Sequence, residues 1–263
     1  MENKNISPLR YPGGKTRACK LLENILITNF KLDNFTTIIS PFFGGGSFEF
    51  YIQNNYNLKI IANDKFTPLY NFWNTCKYNK NDLCKELYKN LDNINKDKFY
   101  NFRKIILTEQ NKLNQSMMYY IINRCSFNGS TLSGGFSLEA SKKRFTKSSI
   151  DKIKKLDLDN FEIYNIDFEE FINKNNDITN LLFLDPPYYL EKKSKLYGNN
   201  GDMHENFNHD KLYKCLLTKR NWMMTYNNCD YIKNLYKDYK IIELNWTYSM
   251  NKSKKSSEIV IIS

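Results

Sequence analysis

Residues 36–47 read Thr36-Thr37-Ile38-Ile39-Ser40-Pro41-Phe42-Phe43-Gly44-Gly45-Gly46-Ser47. The β-branched run Thr36–Ser40 predicts a strand, and Pro41 prevents the ladder from continuing. A glycine cluster at the end of a strand, leading into a helix, lets a ligand approach the backbone closely. A tight strand-to-helix turn with no ligand carries the same local signature. The spacing does not complete G-x-G-x-x-G, because Glu49 occupies the third glycine position. That departure speaks against a dinucleotide site.

Outward from this turn, six further short apolar runs predict strands: Leu58–Asn63, Phe161–Ile166, Leu181–Leu184, Trp222–Tyr226, Lys240–Leu244 and Glu258–Ile262. Most are continuously apolar, as expected of strands covered on both faces. Helical periodicity lies between them. Arg17–Leu26 offers Leu21, Leu22, Ile25 and Leu26, and Asp210–Leu217 offers Leu212, Leu216 and Leu217. The alternation predicts an α/β fold with a mostly parallel sheet. Residues 66–145 interrupt it. Leu83, Leu87 and Leu91, then Phe99, Phe102, Ile105 and Ile106, then Met117, Tyr120 and Ile121 repeat at helical spacing. We therefore expect a helical insertion over 66–145, with a loop or short hairpin near 127–136, between parts of one sheet at 1–65 and 146–263.

Composition bounds the function. Lys and Arg number 39 against 28 Asp and Glu, a formal charge of +11. Only six of the basic residues are Arg, and Asn supplies about one residue in seven, a bias that AT-rich coding also produces. The charge is compatible with a polyanionic partner but does not establish one. No apolar run approaches a membrane span, and Met1–Pro12 lacks the apolar core of an export signal. A cytoplasmic chain is expected, with no membrane association. The six Cys are scattered without C-x-x-C, which predicts neither a zinc site nor a disulfide framework. No metal is expected.

Three other stretches could carry chemistry. Ala62-Asn63-Asp64 ends a strand about twenty residues after the glycine turn, where a carboxylate can accept from ribose hydroxyls or simply cap a helix. Leu184-Asp185-Pro186-Pro187-Tyr188 follows an apolar strand. Its two prolines fix the backbone, so a carboxylate, a carbonyl and an aromatic ring project from one stiff platform at the sheet edge. Such a platform suits an amine on a planar base: Asp185 and the Pro186 carbonyl accept its N–H groups and Tyr188 stacks on the ring. Ser7-Pro8-Leu9-Arg10-Tyr11-Pro12-Gly13-Gly14-Lys15 precedes the first helix and, alone, reads as a turn with a surface Lys.

In this order, Tyr-Pro-Gly-Gly-Lys, Pro-Phe-Phe-Gly-Gly-Gly, Asn-Asp and Asp-Pro-Pro-Tyr resemble the Dam-type DNA adenine-N6 methyltransferases over nearly the whole chain. The resemblance implies a class I, Rossmann-like methyltransferase sheet, S-adenosylmethionine as cofactor and a target-recognition insertion. It implies transfer of a methyl group to the N6 amine of an adenine flipped out of double-stranded DNA. It also implies that Tyr11, Lys15, Phe42, Gly44, Gly46, Asp64, Asp167 and Asp185 meet the cofactor. Asp185, Pro186, Pro187 and Tyr188 would form the catalytic motif. Asn123–Gly129 with Gly134–Phe136 is similar to the family's DNA-contacting hairpin, Thr225-Tyr226-Asn227 to a strand-end motif near the target base, and Ser257–Ile261 to the closing strand.

Two positions depart from the family. Ser40 stands where an acidic residue often precedes Pro-Phe, and Leu132 or Ser133 stands where GATC-specific members carry Arg. For DNA contact, Arg124 and Asn128 suit base edges. Lys142, Lys143 and Arg144 with Lys147, and Lys252, Lys254 and Lys255, suit phosphates, although such runs are usually solvated faces. Lys192–Asn208, with His204 and His209, reads as a polar loop that could cover the DNA or the flipped base. A monomer is expected, serving a restriction endonuclease system without touching the nuclease, or acting alone. Two alternatives remain: a DNA-binding relative impaired in catalysis, and an enzyme acting on an amine of RNA or on a protein amide.

Overall fold

A computed structural model describes residues 4–11, 13–189, 207–247 and 255–263. Its centre is a seven-stranded sheet: β1 (Thr37–Ser40), β2 (Lys59–Asn63), β3 (Phe161–Tyr164), β4 (Asn180–Leu184), β5 (Trp222–Asn227), β6 (Lys240–Thr247) and β7 (Lys255–Ile262). The spatial order is β3-β2-β1-β4-β5-β7-β6. β1 to β5 run parallel, and β7 is inserted antiparallel between β5 and β6. All seven apolar runs are therefore strands, with ends shifted by a few residues.

Period-two alternation sorts continuous runs onto two faces. Ile38, Leu181, Phe183, Met223, Val260 and Ile262 enter one core, while Ile39, Leu182, Leu184, Trp222, Met224, Ile259 and Ile261 enter the other. The second core is closed by α9 (Phe168–Lys174), α10 (His209–Leu216) and α11 (Asp230–Leu235) through Phe171, Leu212, Leu216 and Ile232. The first is covered by α1 (Cys19–Asn29) and α2 (Ser47–Tyr56). Leu22 and Leu26 face that core, whereas Leu21 and Leu217, expected on the buried stripes, are exposed.

Between β2 and β3 the chain is helical: α3 (Thr67–Tyr78), α4 (Lys80–Lys89), α5 (Lys96–Ile105), α6 (Lys112–Cys125), α7 (Leu138–Lys143) and α8 (Lys147–Lys154). Their starts are set by side chains that accept first-turn N–H groups: Asn95, Asn111 and Ser137, with a full capping box at Thr146 and Ser149. These helices continue the first core. Trp73 of α3 packs on Phe43, Phe50 and Phe161, and Phe72 stacks on Tyr120 of α6 at 5.6 Å. The stretch 127–136 is not a hairpin. Two 3-10 turns, Phe127–Gly129 and Thr131–Ser133, are closed by one antiparallel bridge, Ser126 to Phe136. Arg103 of α5 holds the loop by donating to the carbonyls of Leu132 and Gly134. Backbone groups claimed by a side chain in this way are not offered to a strand partner.

Among the described residues no helix is long and apolar enough to cross a membrane. All six Cys are free thiols.

Candidate active site

The site is built on the carboxyl ends of β1, β2, β3, β4 and β5. Asn63, at the end of β2, joins three of these ends. Its Nδ2 donates to the carbonyls of Pro41 and Ile166, and its Oδ1 accepts from the Ile166 N–H. The glycine turn hangs from this frame. Gly44 and Gly46 have φ of 51° and 64°, the left-handed region that glycine enters without steric cost. A Cβ at Gly46 would lie 2.3 Å from the Phe43 ring. Tyr11 lies over Gly44 and Gly45: a Cβ at Gly44 would come 2.9 Å from its ring, and one at Gly45 2.9 Å from the Tyr11 Cβ.

Asp64 accepts from the Gly44 N–H at 3.0 Å and from the Phe66 N–H at 2.9 Å. Burial pushes its carboxyl up to about 6, opposed by these two bonds. Asp64 thus shapes the glycine turn as well as facing it. Trp73 Nε1 donates to the Gly44 carbonyl at 3.0 Å, a bond from the helical insertion to the turn. Phe42 forms an aromatic triangle with Phe168 and Phe207 at 5.6 and 5.5 Å. Asp167 caps α9 and pairs with Lys211 at 3.0 Å. Burial works to raise its carboxyl, but Lys211, the Glu169 N–H and Lys65 together outweigh burial and hold it below the usual range.

Asp185 ends β4 and is locked from two sides. Thr225 of β5 donates to its Oδ1 at 2.6 Å, and Lys15 Nζ lies 2.9 Å from the same oxygen. Lys15 is buried, not the surface Lys that Gly-Gly-Lys suggests alone. It also donates to the Tyr188 hydroxyl at 2.8 Å and the Gly13 carbonyl at 3.1 Å, and lies 3.8 Å from Glu258. The N-terminal segment is thereby tied to the Asp-Pro-Pro-Tyr platform. Pro186 is buried, and Pro187 and Tyr188 are half-buried. Tyr188 stacks on Tyr226 at 5.8 Å, and His209 Nδ1 bonds the Tyr226 hydroxyl. Asp185, Lys15, Thr225, Tyr188 and Tyr226 are thus joined at one sheet edge.

The insertion meets this centre through the N-terminal segment. Asn123 of α6 accepts from the Arg10 N–H and donates to the Arg10 carbonyl. Arg124 donates to the carbonyls of Arg144 and Pro8, at 2.7 and 3.2 Å, and so acts as a strut. Asn128 is exposed with φ of 55°. Lys142, Lys143, Arg144 and Lys147 are exposed on and beside α7. Burial first, then Arg124 and Arg144, lowers the Arg10 pKa, so three arginines crowd one another here. Lys252, Lys254 and most of Lys192–Asn208, including His204, lie outside the described residues.

Asn123 was read only within the hairpin-like stretch Asn123–Gly129, not as the residue that holds Arg10, and one participant escaped the sequence reading altogether. Glu49 counted only as a missing glycine, although an acidic residue flanked by Phe48 and Phe50 in a predicted buried helix is itself a signal.

The strand order with its inverted seventh strand, the glycine turn after β1, the acid after β2 and the Asp-Pro-Pro-Tyr platform after β4 define a class I methyltransferase that acts on an amine. The comparisons make this specific. The chain belongs to the D12 class N6 adenine-specific DNA methyltransferase family, which matches residues 11–250. It is similar to the type II methyltransferase M.MjaIII of Methanocaldococcus jannaschii, 25% identical over 260 residues, covering 89% of this chain and 88% of the relative. It is also similar to the type II methyltransferase M.CviBI of Paramecium bursaria Chlorella virus NC1A, 24% identical over 243 residues, covering 88% and 86%. The protein is a site-specific, adenine-specific DNA methyltransferase that uses a methyl donor.

Proposed function

We propose that the donor is S-adenosylmethionine, that the acceptor is an adenine flipped out of double-stranded DNA, and that the chain is of the Dam type. The residues fit this donor. The glycine turn lets a ligand lie against backbone, with Asp64 beside it to accept from a ribose diol. Two carboxyl groups, Asp64 and Glu49, are buried beneath the turn at a cost that hydrogen-bond donors and cations of a ligand offset. Tyr11, Lys15, Phe42, Gly44, Gly46, Asp64, Asp167 and Asp185 form the cofactor side. When bound, the sulfonium supplies an electrophilic methyl group.

The protein's own work is positioning. Asp185 and the Pro186 carbonyl accept the two N–H groups of the target amine and stabilise positive charge developing on its nitrogen. Tyr188 and Tyr226 offer flat faces to the base, which has to leave the helical stack to reach them. Pro186 and Pro187 keep the platform stiff, so its alignment is not lost to motion. The observation that carries this reading is the double anchoring of Asp185 Oδ1 by Thr225 and Lys15.

Residues 66–145 serve target recognition in this reading. Arg124 holds the N-terminal segment in place, and Asn128 is the candidate for a base edge. Lys142, Lys143 and Arg144 face the phosphates, and the Arg10, Arg124 and Arg144 crowd is eased by an anion. Leu132 or Ser133, neither of them Arg, occupies the position linked to GATC recognition, so we propose a different target sequence. The protein works as a cytoplasmic monomer and needs no contact with a restriction endonuclease.

Expression in a methylation-deficient host, followed by single-molecule sequencing, tests the whole reading. Wild type should leave N6-methyladenine in one reproducible motif, and a folded Asp185→Ala protein should leave none. Methylation at wild-type level by Asp185→Ala would overturn it.

A further inference from the structure

Glu49 breaks the glycine pattern of the turn, and its side chain returns from the first turn of α2 to the end of β1. There Ser40 Oγ donates to its Oε1 at 2.6 Å. Glu49 is 3% exposed, and Ser40 is fully buried. Packing does not need a carboxyl group here. Phe48, Phe50 and Ile52 of the same helix bury apolar side chains, and an apolar residue at 49 would avoid the desolvation cost. Charge does not explain it within the protein either. The charged and titratable groups that act on it are Asp185 from β4, Lys15 and Cys19. Lys15 is committed to Asp185 at 2.9 Å, and the Cys19 thiol is pushed up to about 12 by burial and then by Glu49. Glu49, Asp185 and Glu258, which lies 3.8 Å from Lys15, thus gather three carboxyl groups around one ammonium at the wall of the cofactor side.

We propose that Glu49, with its Oε1 held by Ser40, is the buried anion that receives the positively charged methionyl end of S-adenosylmethionine, and that cofactor binding is coupled to its ionisation. The inference rests on the cofactor reading above. Glu49 acts as a binding and positioning residue and takes no part in the transfer itself.

The direction of the coupling follows from its surroundings. Without cofactor, burial dominates, opposed by the Ser40 bond, and the carboxyl is pushed up to about 7. Near neutral pH it therefore carries a proton about half of the time. A cation beside it favours the ionised form, so binding expels that proton. Affinity then rises with pH up to about 7 and falls again above about 8, where the free ligand's own α-ammonium loses its proton.

Titration calorimetry on the full chain, in buffers of different ionisation enthalpy between about pH 6 and about pH 8.5, reads the proton directly. Wild type should release a net fraction of a proton, up to about half, per S-adenosylmethionine near pH 7 and turn to net uptake at the upper end, where the ligand's α-ammonium must be re-formed. Its affinity should weaken severalfold to about tenfold between pH 8 and pH 6. Glu49→Gln should bind more weakly at pH 8, lose the proton release, and converge on wild type at low pH. 5′-Methylthioadenosine, which lacks the charged end, should bind wild type without expelling a proton. Ser40→Ala keeps the carboxyl but removes the bond favouring its charge, so the midpoint of the affinity curve should move to higher pH. Proton release that persists in Glu49→Gln, or that occurs equally with 5′-methylthioadenosine, would assign the effect to Asp64 and overturn the proposal. An unmoved midpoint in Ser40→Ala would overturn it too. Binding of S-adenosylmethionine by wild type with no proton exchange would remove the role of Glu49 alone. Absence of binding at every pH would remove the cofactor reading as well.

Discussion

Replacing Thr225 by Val isolates one bond of the catalytic platform. Thr225 is fully buried in β5, and its hydroxyl donates to Asp185 Oδ1 at 2.6 Å. Valine has nearly the same shape and suits a strand, so the backbone should hold. The substitution removes one hydrogen bond to a charged group, worth about 1.5–3 kcal/mol. Lys15 stays 2.9 Å from the same oxygen, so the carboxylate is not left without a counter-charge and the effect is bounded. If the hydroxyl holds Asp185 in line for the target amine, the loss appears in turnover. At about 1.4 kcal/mol per decade, kcat should fall roughly 10- to 150-fold. The KM for cofactor should change by less than about threefold, because Thr225 acts through Asp185. Single-turnover transfer of labelled methyl to duplex DNA measures this, with thermal unfolding as a check on folding. A folded Thr225→Val protein with kcat within about twofold of wild type would refute the argument and leave the anchoring to Lys15. An equal loss in Thr225→Ser, which keeps the hydroxyl, would show that packing mattered and the bond did not.

Gly46→Ala should destabilise the protein by about 2–4 kcal/mol, from a left-handed backbone together with overpacking against Phe43, read from urea unfolding. Alanine at Lys142, Lys143 and Arg144 together should weaken DNA binding on any sequence. The slope of log affinity against log salt should flatten by about 2–3 units, and an unchanged slope would place these residues away from phosphate. Asn123→Leu should free the Arg10 backbone that Asn123 now holds on both sides, raising the KM for DNA more than that for cofactor. The cofactor-free protein should also lose stability as pH rises from about 4.5, because the folded chain keeps the Glu49 proton to about 7 while the unfolded chain releases it earlier. Thermal unfolding of Glu49→Gln should show a flatter decline across that range.

Much of the architecture was legible from local pattern. Seven apolar runs became seven strands, because a strand covered on both faces has to be apolar throughout, and that shows in a window of five residues. The Asn bias, which AT-rich coding also produces, serves the fold: Asn95 and Asn111 cap helices of the insertion, and Asn63 joins three strand ends. The places of Gly44, Gly46, Asp64 and Asp185 in a turn or just past a strand end were legible because backbone freedom and strand boundaries leave a signature in the chain. The stretch 127–136 was legible as a loop or a short hairpin, and the choice between the two was not. Its glycines permit a hairpin, but Arg103, more than twenty residues earlier, claims the carbonyls and leaves turns instead.

Side-chain partnerships lay beyond that horizon. Gly-Gly-Lys suggests a surface lysine, yet Lys15 is buried between Asp185 and Tyr188, 170 and 173 residues away. Arg124 matches a base edge by type, yet it braces the carbonyls of Pro8 and Arg144. The charge excess divides in the same way: Lys142, Lys143 and Arg144 face solvent, Lys15 is buried, and the half-buried Arg124 is committed to backbone carbonyls. Hydrophobic period and backbone conformation depend on near neighbours, so the order of residues states them directly. A buried ion pair depends on which strand ends meet. Only the packing of β1, β4 and β5 side by side brings Ser40, Asp185 and Thr225 to one edge, and gives Glu49 and Lys15 their meaning.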